Sequence, residues 1–141
     1  MSRICPLFSG SKGNSTYIGT KDAGLLIDAG ASAKGIGLAL ERAGADFSDI
    51  NAIAVTHCHD DHIKGLKTVL KKTGATLIAT EKTVEFLLNK ECVLSDTRII
   101  IIGEKGIEVN GIQINSFATS HDSEGSCGYS IILPDGKKFS L

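Results

Sequence analysis

The sequence predicts an α/β (α+β) fold, a single domain spanning residues 1–141, on three observations. Short runs rich in Ile, Val and Leu alternate with stretches in which apolar residues recur every three or four positions, the signatures of strands and amphipathic helices in turn. Asn110-Gly111 and Pro134-Asp135-Gly136 punctuate the last third of the chain, where they join runs too short for helices and therefore hairpin-like. At 141 residues with 42% hydrophobic content, the chain is long enough to bury a real core.

Taken in order, Ile4 to Phe8, Thr16 to Ile18 and Leu25 to Asp28 read as three strands, the first two joined by a Gly/Ser loop. A helix follows, with Ser32 as its cap, Ile36, Ala39, Leu40 and Ala43 as its buried stripe, and Gly44 as its stop. Ala52 to Thr56 is a short apolar run bounded by polar residues, a buried strand. Ile63, Leu66, Val69 and Leu70 mark a second helix over Ile63 to Lys72 that ends near Gly74. Thr76 to Ala79 is the next strand, and a third helix begins near Thr80 with Val84, Leu87 and Leu88 as its apolar face. Arg98 to Ile102 is strongly β-like. Ile107 to Val109 and Ile112 to Phe117 form a hairpin about Asn110-Gly111, and Tyr129 to Leu133 pairs with Lys137 to Leu141 about the second turn. Internal repeats, low-complexity tracts and linkers are absent from the sequence.

Composition narrows the classes. The net charge of −1 gives no global argument for a nucleic-acid or membrane partner, although local patches are compatible with it. Cys5, Cys58, Cys92 and Cys127 lack C-x-x-C spacing and read as free thiols of a reducing compartment. The N-terminal apolar run is too short for a signal peptide and no stretch approaches membrane-spanning length, so a cytoplasmic protein with no membrane partner is expected.

The chemistry concentrates in His57-Cys58-His59-Asp60-Asp61-His62, directly after the strand Ala52 to Thr56, where three of the four histidines stand. In an extended segment alternate side chains share a side, so His57 and His59 can offer two imidazoles to one cation while Cys58 points elsewhere. As the chain turns into the next helix, Asp61 and His62 swing toward a second cation beside the first. A solvated, N-capping loop accounts for one histidine in such a place; it does not account for three with carboxylates. The fourth histidine, His121, ends another β-like run and supplies the third imidazole of a His₃ set that leaves a position open for water.

These residues resemble the metallo-beta-lactamase superfamily of binuclear metallohydrolases, whose H-x-H-x-D-H signature is matched in full by residues 57–62. Leu25-Leu26-Ile27-Asp28-Ala29-Gly30 is similar to the family's early strand ending in a buried aspartate, and His121 to its third histidine. Ser9-Gly10-Ser11-Lys12-Gly13-Asn14-Ser15-Thr16, with Ser120-His121-Asp122 and Gly128-Tyr129, resembles more narrowly the YycJ-type bacterial branch, regarded as metal-dependent 5′-exonucleases; Ser126 stands where that branch more often has proline. The resemblance implies an αββα four-layer sandwich with a mixed or antiparallel sheet and helices on the outer face. It implies two divalent cations, Zn²⁺ foremost and Mn²⁺ or Fe²⁺ as alternatives, and a DNA substrate. The family pattern also requires an aspartate bridging both cations, just after Lys137 to Leu141, and a last histidine far beyond it. The chain therefore reads as about the first half of such a domain, truncated at Leu141. Little hydrolytic activity and self-association through a sheet left uncovered near Phe139 and Leu141 are expected of it.

Metal-assisted hydrolysis is the chemistry these residues point to. His57, His59 and His121 hold one cation and Asp61 and His62 contribute to the other, with Asp61 also orienting the attacking water as the catalytic carboxylate. Asp28 is expected to hold an imidazole N–H or backbone groups beside the cations. The loop residues Ser11, Lys12 and Asn14 are available to an anion such as phosphate, or simply form a tight hairpin loop. Lys64, Lys67 and Lys71 recur at helical spacing and suit a nucleic-acid backbone, or a solvated helix face. The same site is compatible with a thioester or lactam hydrolase, and a metal-binding module without turnover is the alternative of a different class.

Overall fold

The computed structural model describes residues 2–10, 13–119 and 126–141. Among the described residues, ten strands form two sheets. The first contains β1 (Arg3–Phe8), β2 (Ser15–Gly19), β3 (Gly24–Ile27), β4 (Ala52–Ala54), β5 (Thr76–Ala79) and β6 (Ile99–Ile101), in that spatial order. β1, β2 and β3 are antiparallel, whereas β3 through β6 are parallel because each of those steps is a crossover rather than a hairpin. The second sheet, in the order β10 (Lys138–Ser140), β9 (Cys127–Ile132), β8 (Ile112–Ala118) and β7 (Ile107–Val109), is antiparallel throughout.

The alternation of side chains along each strand sorts the core into two halves. Tyr17, Leu26, Ile53 and Leu77 face the helices, packing with Ile36 and Leu40 of α1 (Ala33–Arg42), Leu66, Val69 and Leu70 of α3 (Leu66–Thr73) and Val84 and Leu87 of α4 (Glu81–Asn89). Ile18, Leu25, Ile27 and Ile78 face the other way and meet Ile112, Ile114, Tyr129 and Ile131 of the second sheet. A sheet covered on both faces needs apolar residues at every position, which is why β2, β3 and β4 are continuously buried. Of the four layers that the sequence implies, helix, sheet and sheet are formed by the described residues.

Three local readings are corrected. The helix expected over Ile63 to Lys72 is two: α2 (Asp60–Ile63) stops short of Gly65, and α3 starts after it. Gly65 packs so closely on the turn after β3 that a Cβ there would lie 2.1 Å from the Ala31 carbonyl oxygen, and its N–H donates to Ala29 at 2.8 Å. Lys64 thus ends α2, whereas Lys67 and Lys71 stand one turn apart on α3. Leu88, expected inside, is 51% exposed: α4 buries only the narrow stripe of Thr83, Val84 and Leu87, and Leu88 lies a further 100° round the helix. A 3-10 turn, Phe47–Asp49, capped reciprocally by Asp46 and Asp49, leads into β4 and has no counterpart in the periodicity.

β10 pairs only with β9 in the described sheet, leaving its outer edge open. Phe139 packs partly into the inter-sheet core, whereas Phe117 and Leu141 are exposed.

Candidate metal centre

The parallel strands β3 and β4 end at the same edge of the first sheet, and the polar residues that follow them meet there. Thr56 and His57, immediately beyond β4, are buried, and His59 caps α2 in an extended conformation. His57 and His59 rings meet edge to face with centroids 4.9 Å apart, and the His57 and His62 centroids are 3.6 Å apart. Cys58 is buried with its thiol toward Thr83 of α4.

Asp28 organises this cluster from the end of β3. One carboxylate oxygen accepts the Thr56 backbone N–H at 2.7 Å; the other accepts the Thr56 hydroxyl at 2.7 Å and the His62 Nδ1 proton at 2.6 Å. Its backbone lies in the left-handed region at φ 66°, a conformation aspartate tolerates better than most residues, and its own N–H donates to Ala54. Burial pushes the Asp28 carboxyl above its ordinary range, opposed by the His62 and Thr56 hydrogen bonds. The Thr56 hydroxyl, having given its proton to Asp28, accepts from His57 Nδ1 at 2.9 Å. The chain Asp28–Thr56–His57 and the pair Asp28–His62 thus assign both imidazole protons to Nδ1 and both lone pairs to Nε2.

Asp61 is partly exposed, at 32% of its side chain, with Oδ2 3.7 Å from His62 Nε2. The turn that carries it is clamped from two sides. Ala29 N–H donates to the His62 carbonyl at 2.9 Å, and Gly30 approaches so closely that a Cβ there would lie 1.8 Å from the Asp61 carbonyl oxygen. Asn14 arrives from the Gly/Ser loop: its amide nitrogen is 3.1 Å from both Asp61 Oδ2 and Asp61 O, and 3.2 Å from His62 Nε2.

Asp28, His57, His62 and Asn14 border a cleft of about 390 Å³ that Phe8 and Phe139 also line. Thr119, another residue of its lining, has its buried Oγ1 without a hydrogen-bond partner among the described residues. Of the other residues singled out in the sequence, Ser11, Lys12 and His121 lie outside the described residues. Lys64, Lys67 and Lys71 are exposed and none borders the cleft.

The family model described as the metallo-beta-lactamase superfamily matches residues 9–136, nearly the whole chain. The chain belongs to the metallo-beta-lactamase superfamily. Among curated relatives it is 38% identical over 138 residues to the exodeoxyribonuclease WalJ of Streptococcus pneumoniae, covering 96% of this chain and 51% of that protein. It is 37% identical over 120 residues to the exodeoxyribonuclease YycJ of Bacillus anthracis, covering 83% of this chain and 45% of that one. The chain therefore spans about half the length of these relatives. Among solved structures, a Cronobacter sakazakii metallo-beta-lactamase with a HARLDQ motif superimposes with a TM-score of 0.79 at 23% identity, over 99% of this chain and 58% of that one. The Rm3 metallo-beta-lactamase gives a TM-score of 0.77 at 21% identity, over 97% and 59%. At these identities the structural matches establish the fold.

Membership of the metallo-beta-lactamase superfamily implies divalent cations, typically two. The donors present fit such ions. Two ligands of one tetrahedral ion, each about 2.1 Å from it, lie about 3.4 Å apart, and Asp61 Oδ2 and His62 Nε2 are separated by 3.7 Å. Nitrogen and carboxylate oxygen suit zinc, manganese or iron. Among the described residues no three His, Cys, Asp or Glu side chains gather tightly enough to hold an ion alone, so a complete site in this superfamily chain needs donors beyond them.

Thr56 and Gly30 also help to build this candidate centre, and the sequence alone does not mark them as site residues. The signal for Thr56 was its place, a hydroxyl closing an apolar strand directly before the first histidine. Gly30 had none beyond following the strand-end aspartate, since its closeness to Asp61 depends on a segment 31 residues further along.

Proposed function

We propose that this chain carries the catalytic centre of a metal-dependent phosphodiesterase, a 5′-exonuclease acting on DNA. The observation that carries the reading is that His57 and His62 both turn Nδ1 into the hydrogen-bond network of one buried carboxylate, Asp28, beside a cleft. A network that fixes tautomers in this way is what metal-ligating histidines require, and a polar loop does not. The names of the relatives, exodeoxyribonucleases at 37% and 38% identity, favour DNA as the substrate.

In this reading His57, His59 and His121 hold one divalent cation and Asp61 and His62 the second. Bound cations supply Lewis-acid polarisation of the phosphoryl oxygen and an acidic water. Asp28 and Thr56 keep the imidazole lone pairs on Nε2, and Asp61 orients the attacking water. Lys67 and Lys71, with Lys64 beside them, supply phosphate contacts along an approaching strand. Charge reversal at Lys67 and Lys71 is expected to flatten the dependence of DNA affinity on salt, and an unchanged slope returns them to the solvent-exposed face of α3.

The test is hydrolysis of end-labelled single- and double-stranded DNA with Mn²⁺ or Zn²⁺, alongside elemental analysis of wild type and His59→Ala. Metal lost on substitution together with release of mononucleotides from the 5′ end supports the proposal; equal metal content in the two proteins sinks it. A metal-binding module without turnover is the second reading. Stoichiometric metal with no cleavage of any phosphodiester selects it.

A further inference from the structure

The Asn14 amide nitrogen sits among four acceptors. Gly10 O is at 3.0 Å, Asp61 O and Asp61 Oδ2 at 3.1 Å each, and His62 Nε2 at 3.2 Å. The orientation of the amide is unambiguous: reversing it would aim its oxygen at a carboxylate and two carbonyls, whereas as placed Oδ1 accepts from the Gly10 N–H at 3.3 Å. An amide nitrogen carries only two protons, so two of the four acceptors receive none. His62 Nε2 is the most distant of them, and its lone pair is already fixed by the Nδ1 bond to Asp28.

Asn14 is itself held firmly. Its carbonyl accepts the Gly30 N–H at 2.9 Å, and Gly30 is the residue against which the Asp61 carbonyl packs. Through Gly30 and through its side chain, Asn14 therefore grips the backbone and the carboxylate of Asp61 at once. The loop that looked open to an anion turns this amide inward, onto the turn of residues 59–62.

We infer that Asn14 is a positioning residue for the cation at Asp61 and His62: its amide directs Asp61 Oδ2 toward His62 Nε2 and leaves that nitrogen's lone pair for the ion. Four acceptors round one point, served by two protons, is an environment that gains from a positive charge. The inference rests on the metal reading proposed above, but it concerns the affinity of one of the two ion sites and not turnover.

The experiment is Mn²⁺ binding to the whole chain, followed by calorimetry and electron paramagnetic resonance, in wild type, Asn14→Ala, Asp61→Asn and the double variant. Asn14→Ala is expected to weaken one class of Mn²⁺ site about 10–100-fold, the usual cost of losing an outer partner of a ligand, and to leave the other class unchanged. In the Asp61→Asn background the same substitution is expected to have no further effect, since the carboxylate through which it acts is gone. A wild type that binds Mn²⁺ in two classes with Asn14→Ala indistinguishable from it overturns the role of Asn14 alone. A further loss of equal size in the Asp61→Asn background also overturns it, because the effect then does not pass through Asp61. A wild type that binds no Mn²⁺ overturns the metal reading itself. Heteronuclear NMR of the wild type needs no variant: on titration with Zn²⁺ the Asn14 side-chain amide resonances are expected to shift in the same step as the His62 imidazole, and resonances that stay still refute the assignment.

Discussion

The Asp28 carboxylate and the His62 imidazole are joined at 2.6 Å across 34 residues of chain, with both side chains largely shielded from water. The bond does more than fasten β3 to the turn after β4. It places the imidazole proton on the Asp28 side of the ring, so the opposite nitrogen faces Asp61 as a lone pair.

Asp28→Asn isolates that effect, because asparagine tolerates the left-handed backbone conformation at this position. The amide oxygen can still accept the Thr56 N–H, but the amide nitrogen then opposes His62 Nδ1. The His62 proton is expected to move to Nε2 and divalent-cation affinity to fall about 10–100-fold. Imidazole nitrogen chemical shifts and calorimetry read the two effects separately, and an unchanged tautomer would show that Asp28 only fastens the backbone.

Thr56→Val tests the other branch. Valine matches threonine in shape but neither donates to Asp28 nor accepts from His57. Two buried polar groups lose a partner, so a loss of roughly 1–3 kcal/mol in unfolding free energy is expected, with Thr56→Ser recovering most of it. Chemical denaturation of the three proteins decides the matter; valine as stable as threonine would mean that water replaces the hydroxyl.

Much of this centre was legible because it is local. His57, His59, Asp61 and His62 fall within one strand-to-helix turn, so their nearness does not depend on distant segments. The strands of the first sheet were legible for a related reason: burial on two faces writes itself as an unbroken apolar run. What stayed hidden depends on segments that meet only in the fold. The break between α2 and α3 comes from the close approach of Gly65 to Ala31, and the period of Ile63, Leu66, Val69 and Leu70 runs through it without a mark. Asn14 carried a signal for a polar loop but none for its meeting with Asp61, 47 residues away.

Gly30→Ala tests the steric clamp on the metal turn. Its Cβ would lie 1.8 Å from Asp61 O and 2.6 Å from the Asn14 nitrogen, both backbone atoms that a rotamer change cannot move aside. The substitution is expected to cost at least the ~1–3 kcal/mol of ordinary overpacking and to weaken cation binding, since the turn must shift as a unit. Gly103→Ala, where the added carbon meets nothing within 4 Å, is the matched control and should leave the melting temperature unchanged. Comparable melting curves for the two variants would mean that the turn after β4 yields readily.

The last prediction concerns Tyr129, which ties the second sheet to the strand that carries the histidines. It is fully buried, and its hydroxyl donates to the Val55 carbonyl at 2.7 Å, two residues before His57. Burial pushes its phenol well above the ordinary tyrosine range, and the neighbouring Cys127 adds to the effect. A group whose pKa is higher in the folded than in the unfolded state stabilises the fold fully below its unfolded value, about 10 for tyrosine. That contribution is lost as pH rises from there toward the folded value, because the unfolded chain gives up the proton first. Unfolding free energy is therefore expected to decline above pH 10 with a component that Tyr129→Phe removes. Phenylalanine should itself cost about 1–3 kcal/mol near neutral pH by leaving the Val55 carbonyl without its donor. Denaturation curves across the alkaline range, with phenolate absorbance followed in parallel, test both statements. An alkaline decline of equal slope in wild type and Tyr129→Phe would assign the loss to other groups and leave Tyr129 with a packing role alone.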